Sequence, residues 1–398
     1  MSAVGAGFIL RPRLQPDVRQ RCSRLAVGLV LLAMVTGCSR FRPKPAAMYV
    51  YVSAKQTFLR DRVAAVSNRT AVVTNGERLQ VLDHGRRFLK VQTEKGAQGW
   101  IDERGVATQA VYDGFDALKQ QHKDDPVVAS AVTRDESYLH VKPGRDTDRF
   151  YLLPEGEKLK LLSRATLLKP LPGGGRAVAK PVVKPGAPEE APLPPAMDDW
   201  WLVRDSHGDT GWILSRLIDV DAPDSLTRYA EGQRIVGAYV LTTVNDPDAE
   251  QADKNIPIYL TVLSPYKAGL LYDFDQVRVF TWNVKKHRYE TAFREHNIEG
   301  YLPVTITSEK DPFGKSAVAN DSLPVFRYRV LAAEAPAVVP DPVTGAVVPA
   351  KTVTKTYRLE GNLVRRILPP GMPAPMEAHP EPVPDKKKAA AAKVKKRR

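Results

Sequence analysis

The strongest constraint on what this chain can fold into is an internal repeat. One copy contains Phe58-Leu59-Arg60-Asp61, Gly76-Glu77-Arg78-Leu79-Gln80-Val81-Leu82, Phe88-Leu89-Lys90-Val91 and Gly96-Ala97-Gln98-Gly99-Trp100-Ile101. The other contains Tyr138-Leu139-His140-Val141, Gly156-Glu157-Lys158-Leu159-Lys160-Leu161-Leu162, Trp201-Leu202-Val203-Arg204 and Gly208-Asp209-Thr210-Gly211-Trp212-Ile213. Leu59 precedes Gly76 by 17 positions and Leu139 precedes Gly156 by the same 17, which marks duplicated modules. In each copy the glycine-led run alternates apolar and polar positions as a half-buried strand does. A second strand follows, and two glycines three apart supply a tight turn before the tryptophan. That tryptophan is large enough to close the end of a small barrel.

Both copies resemble bacterial SH3 (SH3b) domains, whose pattern is a leucine-bearing first loop, a glycine-led strand, an aromatic strand and a closing glycine-tryptophan strand. The resemblance spans residues 47–108 and 127–221 and implies two SH3-like barrels, each with a ligand groove beside its first loop. The family's Asn-x-Arg-x-Gly-Pro-Ser loop reads Phe58-Leu59-Arg60-Asp61-Arg62-Val63 here and Tyr138-Leu139-His140-Val141-Lys142-Pro143-Gly144 in the second copy. The ligand is therefore not carried over from the family. The groove residues that the motifs nominate are Arg60, Trp100, Tyr138, Trp200, Trp201 and Trp212. Neighbours on a strand point to opposite faces, so one ring of the Trp200-Trp201 pair is expected to face outwards.

The chain has 398 residues, enough for two to four domains at roughly 100–200 residues each. Its net charge of +14 is unevenly placed: residues 1–37 carry five Arg and one Asp, and residues 386–398 carry eight Lys/Arg and no acid. The two ends account for +4 and +8, leaving +2 for a nearly neutral body, so the charge does not describe a basic binding face. Arg11, Arg13, Arg19, Arg21 and Arg24 precede the apolar run at residues 25–35, in the charge order of a secretory signal. That run is too short to span a bilayer, which takes about 20 residues. It ends in Val35-Thr36-Gly37-Cys38, which resembles a bacterial lipobox. The resemblance implies cleavage after residue 37 and diacylglycerol and palmitate on Cys38. It also implies a tether over residues 38–46 and, with Ser39 following, an outer-membrane location facing the periplasm. Cys22 leaves with the signal, so the mature chain is expected to hold no disulfide, cysteine nucleophile or cysteine zinc site.

Residues 109–126 read as a helical connector, with Phe115, Leu118 and His122 at helical spacing and Pro126 as the stop. The second module is interrupted over residues 166–197 by a stretch with eight prolines between Pro170 and Pro195, which reads as a disordered excursion between two strands. Residues 232–368 read as an antiparallel β-rich domain, a sheet or sandwich beside the second barrel. Its strands are centred on residues 258–263, 276–282, 288–294, 324–330 and 352–359. Residues 369–398 read as a proline-rich and then basic disordered tail ending in Lys386, Lys387, Lys388, Lys393, Lys395, Lys396, Arg397 and Arg398. In an envelope such a tail meets anionic polymers and headgroups, and no specific nucleic acid is expected.

No metal-ligand motif, nucleophile elbow, phosphate loop or dinucleotide fingerprint occurs. His287 and His296 near Glu295 read as hairpin surface residues, not as a metal site. No cofactor is expected. SH3b modules commonly accompany cysteine wall hydrolases, and the mature chain lacks a candidate cysteine. The expected fold class is mainly β: two SH3-like barrels followed by a small antiparallel β domain. The expected function is that of a non-catalytic, lipid-anchored envelope protein that binds peptidoglycan or cell-wall peptide. The alternative is an envelope scaffold that binds a protein partner through the SH3b-like and C-terminal domains.

Overall fold

The computed structural model describes residues 47–64, 66–170, 196–250 and 254–380. From Tyr49 onward the described residues form one compact unit. The expected signal, Cys38 with the expected tether, most of the proline-rich insertion and the basic tail lie outside the described residues.

The fold class is mainly β. The first module holds β1 (Met48–Val52), β2 (Gln56–Arg60), β3 (Arg69–Thr74), β4 (Arg78–His84), β5 (Phe88–Thr93), β6 (Gln98–Asp102) and β7 (Val106–Thr108). The second holds β8 (Ala129–Thr133), β9 (Ser137–His140), β10 (Arg149–Leu153), β11 (Lys158–Leu168), β12 (Met197–Arg204), β13 (Thr210–Leu214) and β14 (Ile218–Val220). Strand order in the first sheet is β3-β2-β6-β5-β4-β1-β7, and in the second β10-β9-β13-β12-β11-β8-β14. These are the same path shifted by seven strands. The correspondence extends to irregularities: both sheets carry a register shift at the same place, between Val81 and Asp83 and between Leu161 and Ser163.

The repeat spacing has a structural cause. Leu59 and Leu139 are fully buried, while Gly76 and Gly156 turn the chain at φ of 87° and 75°, a region that penalises any side chain. The glycine before each tryptophan serves close strand approach. A Cβ on Gly99 would stand 2.8 Å from the Leu59 Cβ, and one on Gly211 would stand 2.7 Å from the Leu139 Cβ.

Between the modules, α1 (Gln109–Gln121) begins where Thr108 caps it by accepting from the Val111 N–H. Phe115 is its buried residue. Tyr112 stacks on Tyr51 of the first module at 4.0 Å, and the Phe115 ring meets Phe150 of the second at 6.2 Å. Asn75 adds a polar tie, donating to the Phe150 carbonyl at 3.0 Å and accepting from the Leu152 N–H at 3.2 Å. Past the second module a four-residue helical turn, α2 (Asp224–Thr227), leads into the third sheet.

The third sheet is one seven-stranded antiparallel meander and not a sandwich: β15 (Arg234–Asn245), β16 (Asn255–Ser264), β17 (Phe274–Asn283), β18 (Arg288–Glu309), β19 (Leu323–Leu331), β20 (Thr352–Glu360) and β21 (Leu363–Arg366). β18 runs on well beyond the expected strand at 288–294 and passes through Pro303. A bulge between Tyr301 and Thr305 sets that residue outside the ladder. One apolar core runs from the second module into this sheet, joining Trp201, Val203 and Ile213 to Leu260, Val277 and Phe326.

The junction is also polar. Arg164 donates through Nε to Asp273 at 2.8 Å and through Nη2 to the Leu270 and Tyr272 carbonyls, each at 2.9 Å. Asp199 lies 3.6 Å away from the same guanidinium and accepts from Thr166 Oγ1 and the Gly269 N–H. The insertion is also narrower than 166–197. Thr166, Leu167 and Leu168 pair with Asp199, Asp198 and Met197, so both strands reach further before the chain departs.

Arg164→Ala leaves Asp199 and Asp273 without their cation in a largely dehydrated place. It is expected to cost about 3–5 kcal/mol in urea unfolding, against less than about 1 kcal/mol for Arg134→Ala, whose partner Asp219 is solvent-exposed. Equal losses would contradict the role given to Arg164.

Candidate ligand grooves

In each module the last strand places its tryptophan next to the first-loop strand. Trp100 pairs across to Lys90 on one side and Arg60 on the other, and Trp212 pairs to Leu202 and His140. The two tryptophans are therefore equivalent, Arg60 corresponds to His140, Phe88 to Trp200, and Gly85 to Ala165.

The first groove is an open cleft of about 540 Å³, walled by Arg62 and Val63 from the first loop, the Gly85–Phe88 hairpin turn, and Trp100. Gly85 lets the indole come close: a Cβ there would stand 3.3 Å from Trp100 Cζ3. Three arginines line the cleft, and no acid does. Arg62 approaches Asp61 only to 3.9 Å and Arg87 approaches Asp102 only to 3.8 Å, while Arg86 has no ion-pair partner among the described residues. Arg60 is exposed beside Trp100 and donates to Ser67 Oγ at 2.9 Å. An aromatic floor with weakly paired guanidinium groups above it suits an extended ligand that carries carboxylates or phosphates.

The second groove is built differently, although its module is the same. Lys142 and Pro143 stand where Arg62 and Val63 stand in the first. Two further walls are added: α1 on one side and, on the other, the β19–β20 connection at residues 343–349. That connection is anchored at the free edge of β11, where Thr166 N–H donates to the Gly345 carbonyl at 2.7 Å and Ala165 bridges Ala346. The result is a chamber of about 900 Å³ with Trp212 in its wall.

Tyr138 lies under the Arg149 guanidinium at 5.0 Å and does not line either cavity. The expectation of one exposed ring at Trp200-Trp201 is corrected. The two rings do take opposite faces, but both are buried, at 2% and 5% exposure. Trp201 enters the main core. Trp200 is covered on the outer face by Leu214, Trp212 and Leu217, with the His140 ring edge-on at 5.1 Å. Sequence reasoning missed Arg62, Arg86 and Arg87; the available signal was a Gly-Arg-Arg turn directly before Phe88.

His287, Glu295 and His296 do not meet. His287 meets Asp246 Oδ2 through Nδ1 at 2.8 Å, the carboxylate accepting, in a group with Asp248. Asp246 is already held by Trp282 Nε1 at 2.7 Å. Glu295 instead contacts Lys355, Tyr328 and Tyr357 on neighbouring strands. Among the described residues no helix is long and apolar enough to cross a membrane.

No protein-family model matches the chain, and no curated protein matches it. Among solved structures it is similar to NlpC2 from Trichomonas vaginalis, at 10% identity over 48% of this chain and 56% of that one, with a TM-score of 0.14. It is similar to an NlpC/P60 family protein from Bacillus cereus at 11% identity over 49% and 65%, with a TM-score of 0.20. A third, NlpC1 from Trichomonas vaginalis, matches at 9% identity over 64% and 90%, with a TM-score of 0.15. The chain spans between about half and two thirds of the first two of these proteins.

His140 stands behind the second groove, its Nδ1 3.0 Å from Oγ1 of Thr147, a lining residue. Burial, and then Arg149, hold its ring below its ordinary value of 6.5, against a hydrogen bond with Thr147 that favours the proton. The unfolded chain therefore takes up this proton first. The stability linked to His140 is complete above about pH 6.5 and is lost as the pH falls below it. His140→Gln is expected to flatten the pH dependence of the urea midpoint as the pH falls below about 6.5. An unchanged slope would contradict this placement.

Proposed function

We propose that this chain is a non-catalytic, lipid-anchored protein of the bacterial cell envelope whose first SH3b-like module binds peptidoglycan or cell-wall peptide. The observation that carries the reading is the open Trp100 cleft. A half-buried aromatic floor in an open cleft, a glycine beside it and three arginines with no acid in the lining suit recognition of an extended, carboxylate-bearing chain. Peptidoglycan stem peptides have that chemistry.

The lipobox-like Val35-Thr36-Gly37-Cys38 supports anchoring, because two or more acyl chains make a stable membrane attachment. Ser39 supports an outer-membrane site facing the periplasm. The eight cations between Lys386 and Arg398 would add contact with anionic envelope polymers, at about 1 kcal/mol per charge close to a surface. The alternative is an envelope adaptor that binds a protein partner. The fusion of the C-terminal sheet with the second module into one core favours it, since this builds a large rigid surface beyond the first module.

Sedimentation with purified peptidoglycan at about 0.15 M salt tests the wall reading. Residues 39–385, without the basic tail, are expected to pellet. Trp100→Ala is expected to weaken this about tenfold, the loss typical of a central aromatic contact. Pelleting that needs the tail and vanishes with salt would reduce the interaction to unspecific charge attraction, and no pelleting at all would leave the adaptor reading. Separately, Cys38→Ser is expected to move the protein from the membrane fraction to the soluble one, and an unchanged distribution would overturn the anchor.

A further inference from the structure

The chamber on the second module stands where the first has only an open cleft. α1 contributes Ala117 and Leu118, the second module Trp212 and Val141, the β18 bulge Leu302 and Pro303, and the β19–β20 connection Val347. A cavity of about 900 Å³ with a mostly apolar lining, where α1, the second module and the third sheet meet, has the size and place of a small-molecule site.

Its charges are one-sided. Asp273 is the sole carboxylate in the lining, and both of its oxygens are engaged, Oδ1 by Arg164 Nε at 2.8 Å and Oδ2 by the Leu302 N–H at 2.9 Å. Among the described residues Lys142, in the lining, has no acid partner. Arg329 donates to the Leu302 carbonyl through Nη2 and likewise meets no carboxylate among the described residues. His122 is held by Asp125 at 2.6 Å. The chamber therefore offers an apolar body two cations that its own side chains leave unneutralised.

We propose that this chamber binds an amphipathic anion, a single alkyl chain ending in a phosphate or carboxylate. The alkyl chain lies against Leu118, Trp212 and Val347, and the head group meets Lys142 and Arg329. The first module has no such site, because its cleft is flanked neither by α1 nor by the β19–β20 connection.

The test is isothermal titration of the full chain with dodecyl phosphate and with dodecanoate, both below their critical micelle concentrations. Dodecyltrimethylammonium and dodecanol serve as controls. The two anions should bind saturably at one site per chain, and their relative affinity decides between phosphate and carboxylate. The cationic control should bind at least about tenfold more weakly, the effect of about 1.4 kcal/mol of head-group discrimination. Ala117→Trp, which projects an indole from an exposed helix position into the chamber, should abolish binding. Val347→Trp does the same from the opposite wall should the first variant not fold. Lys142→Gln with Arg329→Gln should erase the preference for the anion while leaving alkyl binding in place. Absence of saturable binding, equal affinity for both head-group signs, or insensitivity to both tryptophan variants would overturn the proposal. None of these outcomes bears on the Trp100 cleft, which is read out by peptidoglycan sedimentation.

Discussion

Three consecutive residues at the end of β11 hold the larger part of this molecule together. Arg164 sends its guanidinium into the loop before β17, Ala165 bridges Ala346, and Thr166 gives its N–H to Gly345 and its hydroxyl to Asp199. A buried cation is costly unless its surroundings return what water supplied. Here two carboxylates and two carbonyls do so, and all of them come from other strands or loops. The arrangement exists only when the second module and the third sheet are docked, which couples their folding. Apolar continuity from Trp201 to Phe326 supplies the bulk of the attraction, and the polar junction sets which register is adopted.

That coupling explains why two copies of one module end up with different sites. Strand order, register shift, turn glycines and closing tryptophan are the same in both. What differs is where β4 and β11 stop. β4 turns back at Gly85, leaving a short hairpin and an open cleft. β11 continues to Leu168, and its extra length provides the free edge on which the β19–β20 connection lands. A duplication thus leaves one cleft facing solvent with arginines around it. The other becomes an apolar chamber bounded by elements outside the module.

Much of this was legible in the sequence. The paired 17-residue spacings located both modules, because glycines with positive φ and a fully buried leucine are local requirements that survive in the residue types. The helix was legible from Phe115, and the third region from its alternating strands. The rest depended on contacts far apart in the chain. Periodicity put Trp200 and Trp201 on opposite faces correctly, but it could not say that the outer face would be covered by Leu214 and Leu217. The pattern at 288–294 did not announce that β18 would run on through Pro303, which the bulge sets outside the ladder. Residues 343–349 read as an unremarkable proline-flanked loop, since their partner at Ala165 lies about 180 positions earlier. The arginines of the first cleft sit in turns, where charge is usually solvated.

The proposed function rests on this division: the first module keeps an open cleft, and the second is committed to the C-terminal sheet. Amide hydrogen exchange of Thr166 and Arg86, followed in one sample, tests that division most directly. The two residues occupy equivalent positions, yet only the Thr166 N–H is engaged by residues 343–349. The account predicts that Thr166 is protected like a strand-interior amide while Arg86 exchanges close to the rate of an open chain. Similar exchange at the two positions would contradict it.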